Sequence, residues 1–201
     1  ETVESSASVN VNPHQLDIRL PTDLVLPPGG LNIRWPDPPL DQELRLHQYA
    51  MHAAQAFARA NQIDKIIFDS PRARLGIVTT GKSYHDVLQA LEYLGIDHRA
   101  AACRDLGIRV YKVGMTWPLE PEGIRAFARG VEDIVVVEEK RSFLESQMKE
   151  YMYNWDQATR PSIVGKYDEG GDWILPSTAE LTPARIARVI AGRLARFFTS
   201  E

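Results

Sequence analysis

Four apolar residues, Ile134 to Val137, stand in an unbroken row inside DIVVVEE (133–139), and three of them are valines. A strand with one face in water alternates apolar and polar residues. A continuous β-branched run belongs to a strand covered on both faces, which is the habit of parallel sheets. LGIVTT (75–80) is a second apolar, β-branched run, and IRVYKVG (108–114), KIIFD (65–69) and PSIVGKY (161–167) also read as strands. Between these runs the period changes to that of a helix. SYHDVLQALEYLG (83–95) lines up Tyr84, Val87, Leu88, Leu91 and Leu94, with Gly95 where a helix stops. RAAACRDLG (99–107) reads as a second short helix, and PEGIRAFARG (121–130) as a third, with Pro121 in its first turn and Gly130 at its end. KRSFLESQMKEYMYNW (140–155) puts Leu144, Met148, Tyr151, Met152 and Trp155 on one stripe. LTPARIARVIAGRLARFF (181–198) begins with Thr182 as N-cap and Pro183 behind it. Strands alternating with helices of this length predict a mostly parallel sheet in a three-layer α/β/α domain over residues 65–201.

What precedes that domain is different in kind. PTDLVLPPGGLNIRWPDPPL holds six prolines and an adjacent glycine pair. Proline fixes φ and extends the residue before it, so residues 1–40 are expected to form an extended linker arm. Its apolar residues Leu24, Val25, Leu26, Leu31, Ile33 and Trp35 imply that it lies against a surface. DQELRLHQYAMHAAQAFARAN then spaces Leu44, His47, Met51, Ala54 and Ala58 as a helix does, so residues 41–64 are expected to be a connecting helix. The opening ETVESSASV has no Met and reads as a cut inside something larger.

Composition removes several classes of function. The net charge is −4, which offers no global attraction to nucleic acid or an acidic membrane surface. The single cysteine, Cys103, cannot form an internal disulfide or supply the thiolates of a zinc or iron–sulfur site. No metal site is expected from the five histidines, which form no tight pair. No apolar run approaches a membrane span and no signal peptide opens the chain, so the expectation is a cytoplasmic protein.

GIVTTGKS (76–83) fits G-x-x-x-x-G-K-S, the phosphate-cradling loop of nucleoside triphosphatases. Such a loop starts at its first glycine and follows a strand. Here the four variable positions are Ile77, Val78, Thr79 and Thr80, which are strand residues. The sequence instead predicts a strand ending near Thr79, a turn at Thr80-Gly81-Lys82, and a helix capped by Ser83 with Asp86 completing a capping-box-like pair. Nucleotide hydrolysis is set aside on that context. A strand-to-helix turn made of Thr79, Thr80, Gly81, Lys82 and Ser83 remains a candidate anion site, because backbone N–H groups there face the carboxyl edge of the sheet. Glu138, Glu139 and Lys140 fall at the same edge. Adjacent carboxylates on a strand point to opposite faces and cannot act as one acid–base dyad. One of them is expected to make a domain contact or to bind the start of the helix predicted at 140. No catalytic residue is assigned.

Long stretches resemble a known family. They are PPGGLNIRWPDPPLDQE, AAQAFARANQIDKIIFDSPRARLGIVTTGKSYHDVLQALEYLGID, DLGIRVYKVGMTWPLEPEGIRAFARG and DIVVVEEKRSFLESQMKE. They resemble the indolepyruvate:ferredoxin oxidoreductases, thiamine-dependent 2-oxoacid:ferredoxin oxidoreductases of the fused, long-chain bacterial type. Within such assemblies the chain is similar to the transketolase-C-terminal-like domain and the linker before it. The resemblance implies a larger enzyme that converts an aryl pyruvate to acyl-CoA, CO2 and reduced ferredoxin. That enzyme would use thiamine diphosphate, Mg2+ and 4Fe–4S clusters, with CoA and ferredoxin as partners. Gly170-Gly171-Asp172 is not the G-D-G motif of a diphosphate-binding domain. The resemblance therefore implies a non-catalytic structural and interface domain that meets neighbouring domains and forms a homo-oligomer. The alternative is an anion or CoA-phosphate binding module built on the 79–83 turn.

Overall fold

The computed structural model describes residues 10–32, 34–96 and 105–198. Five strands form one sheet in the order β1-β3-β2-β4-β5. They are β1 (Lys65–Phe68), β2 (Leu75–Thr80), β3 (Ile108–Val113), β4 (Asp133–Val137) and β5 (Ser162–Val164). The inner pairs are parallel, with Ile77 opposite Val110 on one side and Val135 on the other. Only β1 runs antiparallel, against β3, and its register slips between Ile66 and Phe68.

The unbroken run in β4 is buried on both faces. Val135 and Val137 join a core with Ile77, Val87, Leu91, Ile186 and Ile190, under the helices α3 (Lys82–Tyr93) and α6 (Pro183–Leu194). Ile134 and Val136 join a second core with Val78, Ile124, Phe127, Leu144 and Met148, under α4 (Pro121–Ala128) and α5 (Leu144–Met152). This is the three-layer α/β/α arrangement that the alternation predicts. Gly76 belongs to the close packing: a Cβ there would meet the Phe127 ring at 2.8 Å.

Several boundaries differ from the sequence reading for local reasons. The helix expected from 140 begins at Leu144, because residues 138–143 form a loop held by Glu138. The strand expected over 161–167 shortens to three residues, and Tyr167 pairs with Trp173 across a small hairpin instead. The helix expected over 41–64 is α1 (Pro39–Arg45), a π turn (Leu46–Ala50) and α2 (Met51–Ala60). Thr182 caps α6 as expected, accepting from the Arg185 N–H. The short helix predicted over 99–107, with Cys103, falls largely on residues 97–104 and so lies outside the described residues, as does Ile33.

α1 buries no residue, and before it the described residues form one 3-10 turn (Pro13–Gln15) and otherwise irregular chain. Its ties to the body are polar. Asn61 exchanges two 2.8 Å hydrogen bonds with the Arg19 backbone. Arg59 links Asp23 at 3.1 Å to Glu120 at 2.7 Å, and Glu120 also caps α4 by accepting from Glu122 and Gly123.

Candidate functional site

Adjacent strands β2 and β4 are followed by helices on opposite faces of the sheet. Their loops part at the carboxyl ends, which is where open α/β sheets leave a crevice for ligands. Both groups singled out from the sequence sit there. Thr79 is opposite Val137 in the ladder, one residue before Glu138.

On the β2 side, the strand runs through Ile77, Val78 and Thr79 in register with both neighbours, and through Thr80 in register with β3. Their backbone N–H groups belong to the sheet and not to a phosphate cradle. Gly81, with φ 54° and ψ −134°, is the N-cap of α3, and no side chain caps the helix. That backbone lies in the region where glycine avoids steric cost, so the turn is made by Gly81 and not by a Ser83 cap. Ser83 lies within the first turn, and the capping-box-like pair with Asp86 does not form. Asp86 accepts instead from Lys82, one turn earlier, at 2.8 Å. Thr80 donates to the Val113 carbonyl at 2.9 Å. The hydroxyls of Thr79 and Ser83 are buried with no partner among the described residues.

Lys82 is the only cation of the turn, and two carboxylates hold it: Asp86 and Glu180, each at 2.8 Å. Burial pulls the Lys82 ammonium down, but hydrogen bonds to both carboxylates outweigh it and keep the group well above the usual lysine range. An anion arriving here must displace Glu180, the more exposed partner.

On the β4 side, Glu138 turns its carboxylate to the start of α5. It accepts from the N–H groups of Phe143, Leu144 and Glu145 at 2.9, 2.8 and 3.1 Å. Three orphan donors of a helix start are thereby satisfied by one buried side chain. Burial raises the Glu138 carboxyl above the ordinary range, against the pull of these donors and of Lys166. Glu139 accepts from the Leu181 N–H at 3.3 Å, and Lys140, at φ 57°, donates to the Ala179 carbonyl at 2.8 Å. The segment Ala179–Leu181 thus spans the crevice and touches both candidate groups, through Glu180 to Lys82 and through its backbone to Glu139 and Lys140.

Glu180, Glu145 and Lys166 were not singled out in the sequence, and Asp86 only as a partner of Ser83. Lys166 follows β5, is buried, and donates through Nζ to the Glu138 main-chain carbonyl. Burial pulls its ammonium down, against nearby carboxylates led by Glu138. Its backbone N–H donates to Glu145 Oε2 at 3.1 Å, and Glu145 Oε1 pairs with Lys149 at 2.6 Å. The i,i+4 spacing of Lys82 and Asp86 was a legible signal. Glu180 and Lys166 arrive only through the topology.

The edge is therefore an interlocked set of charges whose strongest groups already serve the fold. Glu138 is committed to a helix start and Glu139 to a strap. Among the described residues no three His, Cys, Asp or Glu side chains come together as metal ligands. One cysteine in the whole chain does not fit an iron–sulfur cluster.

The fold and this edge define a mostly parallel, three-layer α/β/α module. Residues 64–200 match the family model of the indolepyruvate ferredoxin oxidoreductase middle domain, and the chain belongs to that family. It is similar to indolepyruvate oxidoreductase subunit IorA of Pyrococcus abyssi, at 29% identity over 119 residues, covering 59% of this chain and 16% of that protein. It is also similar to IorA of Methanothermobacter marburgensis, at 25% identity over 142 residues, covering 71% of this chain and 20% of that protein. The chain thus spans about a fifth or less of the curated relatives it matches. Among solved structures it resembles the 2-oxoglutarate:ferredoxin oxidoreductase of Magnetococcus marinus, whose structure has 2-oxoglutarate, coenzyme A and succinyl-CoA bound. That likeness has a TM-score of 0.50 at 16% identity and covers 78% of this chain and 24% of that one, which makes it a likeness of fold.

Proposed function

We propose that the chain is a non-catalytic structural and interface domain of a larger thiamine-dependent 2-oxoacid:ferredoxin oxidoreductase acting on an aryl pyruvate such as indolepyruvate. The products of that enzyme would be acyl-CoA, CO2 and reduced ferredoxin. Thiamine diphosphate, Mg2+ and 4Fe–4S clusters would be held by other parts of it, because the donor set here does not fit them. Ferredoxin and CoA are partners of the whole in this reading, the assembly is a homo-oligomer, and the compartment is the cytoplasm. The observation that carries the proposal is the commitment of the crevice charges. Lys82 is held by Asp86 and Glu180, and Glu138 by three backbone donors. Groups so engaged fix geometry, and most of their hydrogen-bonding capacity is spent within the fold. The test is Lys82→Met in the full-length oxidoreductase, read by indolepyruvate-dependent dye reduction. The expected rate stays within about twofold of wild type; a loss of about 100-fold in a folded enzyme, equal to about 2.7 kcal/mol, would overturn the reading.

A second reading has its own support. The buried, unpartnered hydroxyls of Thr79 and Ser83 flank Gly81 and Lys82. With Thr80 these residues would form an anion or CoA-phosphate site once Glu180 swings away. Calorimetry with CoA decides it: saturable heat that Lys82→Ala abolishes supports this reading, and no heat at millimolar CoA retires it.

A further inference from the structure

A cavity of about 490 Å3 lies on the outer surface of α6, between that helix and the hairpin joining Tyr167 to Trp173. It is apart from the crevice at β2 and β4, and neither reading of that crevice uses it. Four arginines reach it, in two different roles. Arg193 and Arg196 are neutralised: Arg193 pairs with Asp133 at 2.5 Å and with Glu169 at 2.7 Å, and Arg196 with Glu169 at 2.8 Å. Arg185 and Arg188, one turn apart on α6, make no ion pair among the described residues. The Arg185 Nε–H donates to the Ile174 carbonyl at 3.2 Å, which orients the guanidinium and leaves its terminal nitrogens open.

The rest of the lining supplies shape. Gly192 leaves a gap in the helix surface, because a Cβ there would meet nothing within 4 Å. Trp173 forms a half-exposed aromatic wall. Its indole is stacked on the Tyr167 ring, with centroids 6.3 Å apart and planes 16° from parallel. The hairpin under it is tied by the Asp168 N–H to the Asp172 carbonyl at 3.0 Å. Asp168 Oδ1 accepts from Gly170 and Asp172, each at 2.9 Å. Asp168 is the only carboxylate on the lining, and this turn already employs it.

Two open guanidinium forks one helical turn apart suit the oxygens of linked phosphates, which arginine binds in bidentate fashion. A fixed indole beside them suits a flat heteroaromatic ring, and the volume lies within the range of small-ligand sites. We propose that this cavity is a binding site for a nucleoside diphosphate, with the pyrophosphate across Arg185 and Arg188 and the base against Trp173.

The test is calorimetry on the full chain with ADP, pyrophosphate and adenosine as separate probes, and with circular dichroism to show that each variant is folded. ADP is expected to bind saturably, with Kd below about 1 mM. Arg185→Ala with Arg188→Ala should weaken both ADP and pyrophosphate at least about tenfold. Trp173→Leu should weaken ADP about fivefold and leave pyrophosphate unchanged. Lys82→Ala, at the other site, should leave ADP binding unchanged. That control separates this site from the CoA-phosphate reading of the crevice. No ADP heat, or ADP binding that survives loss of both arginines, would overturn the assignment. So would poly-glutamate binding sensitive to the arginine variants without ADP binding, since that outcome marks an acidic protein partner.

Discussion

The α/β body and the segment in front of it use the same kinds of side chain to opposite ends. In the body Ile77, Ile134, Phe127 and Leu144 are fully buried. In the arm and α1, Trp35 is 93% exposed, Val25 84% and Leu40 76%. The body closes its own core on both faces of the sheet. The segment holds large apolar surface in water and is fastened to α2 by polar ties at Arg19 and Asp23. The difference teaches that the residues holding the core and those offering apolar surface to water are separable in this chain. Substitutions behind β4 should unfold it, whereas substitutions in the arm should change only what it meets.

That contrast can be broken by measurement. The largest effects are expected in the body. Phe127→Ala should cost about 3–5 kcal/mol in urea unfolding, because a large ring leaves a core that cannot collapse around Gly76. Arg193→Ala should cost about as much, about 3–5 kcal/mol, because it leaves the buried Asp133 carboxylate with only Arg196, 3.8 Å away. If either variant unfolds like wild type, the body is not the stable unit of the chain. A middle effect belongs to Glu138→Ala, about 1–3 kcal/mol, with fraying of α5 visible as faster amide exchange at Leu144 and Glu145.

A pH series sharpens the comparison. The Arg193 hydrogen bond, then that of Arg196, hold the Glu169 carboxyl far below its ordinary value. A carboxyl depressed in the folded state gives stability above its unfolded pKa, and that stability is lost as pH falls through the folded one. Wild type should therefore lose Tm as the pH drops below about 4.3, and Glu169→Gln should show a shallower fall. An identical slope would mean that the partly exposed Glu169 contributes little. The smallest stability effect should come from Trp35→Ala, within about 0.5 kcal/mol. The same variant should weaken self-association in sedimentation velocity. A change of several kcal/mol with no change in association would reverse the contrast.

The sequence made the centre of the fold legible because a parallel strand buried on two faces leaves no choice of residue. LGIVTT and DIVVVEE mark β2 and β4 almost to the residue. Helix starts were harder. At α3 the backbone of Gly81 makes the turn, so the nearby Ser83 misled. At α5 the helix begins at Leu144, four residues later than expected, on a carboxylate six residues upstream. The two halves of the crevice were each visible as polar residues at strand ends. The strap that joins them was not, because Glu180 lies almost a hundred positions after Lys82. The α6 cavity was hidden for a similar reason: arginines on a helix read as its solvated face until the hairpin bearing Trp173 folds beside them.

The two borders of the sheet bear on how such a module could be built into something larger. On one side β1 begins with Lys65 and slips register after Ile66. On the other, β5 offers only three residues before the chain turns away. An incoming strand would find a charge and a kink at one border and almost no rail at the other. Growth by strand addition is thus discouraged at both ends. A neighbouring domain would then have to attach through the helical layers or the front segment, where a joint could form and part without disturbing the ladder.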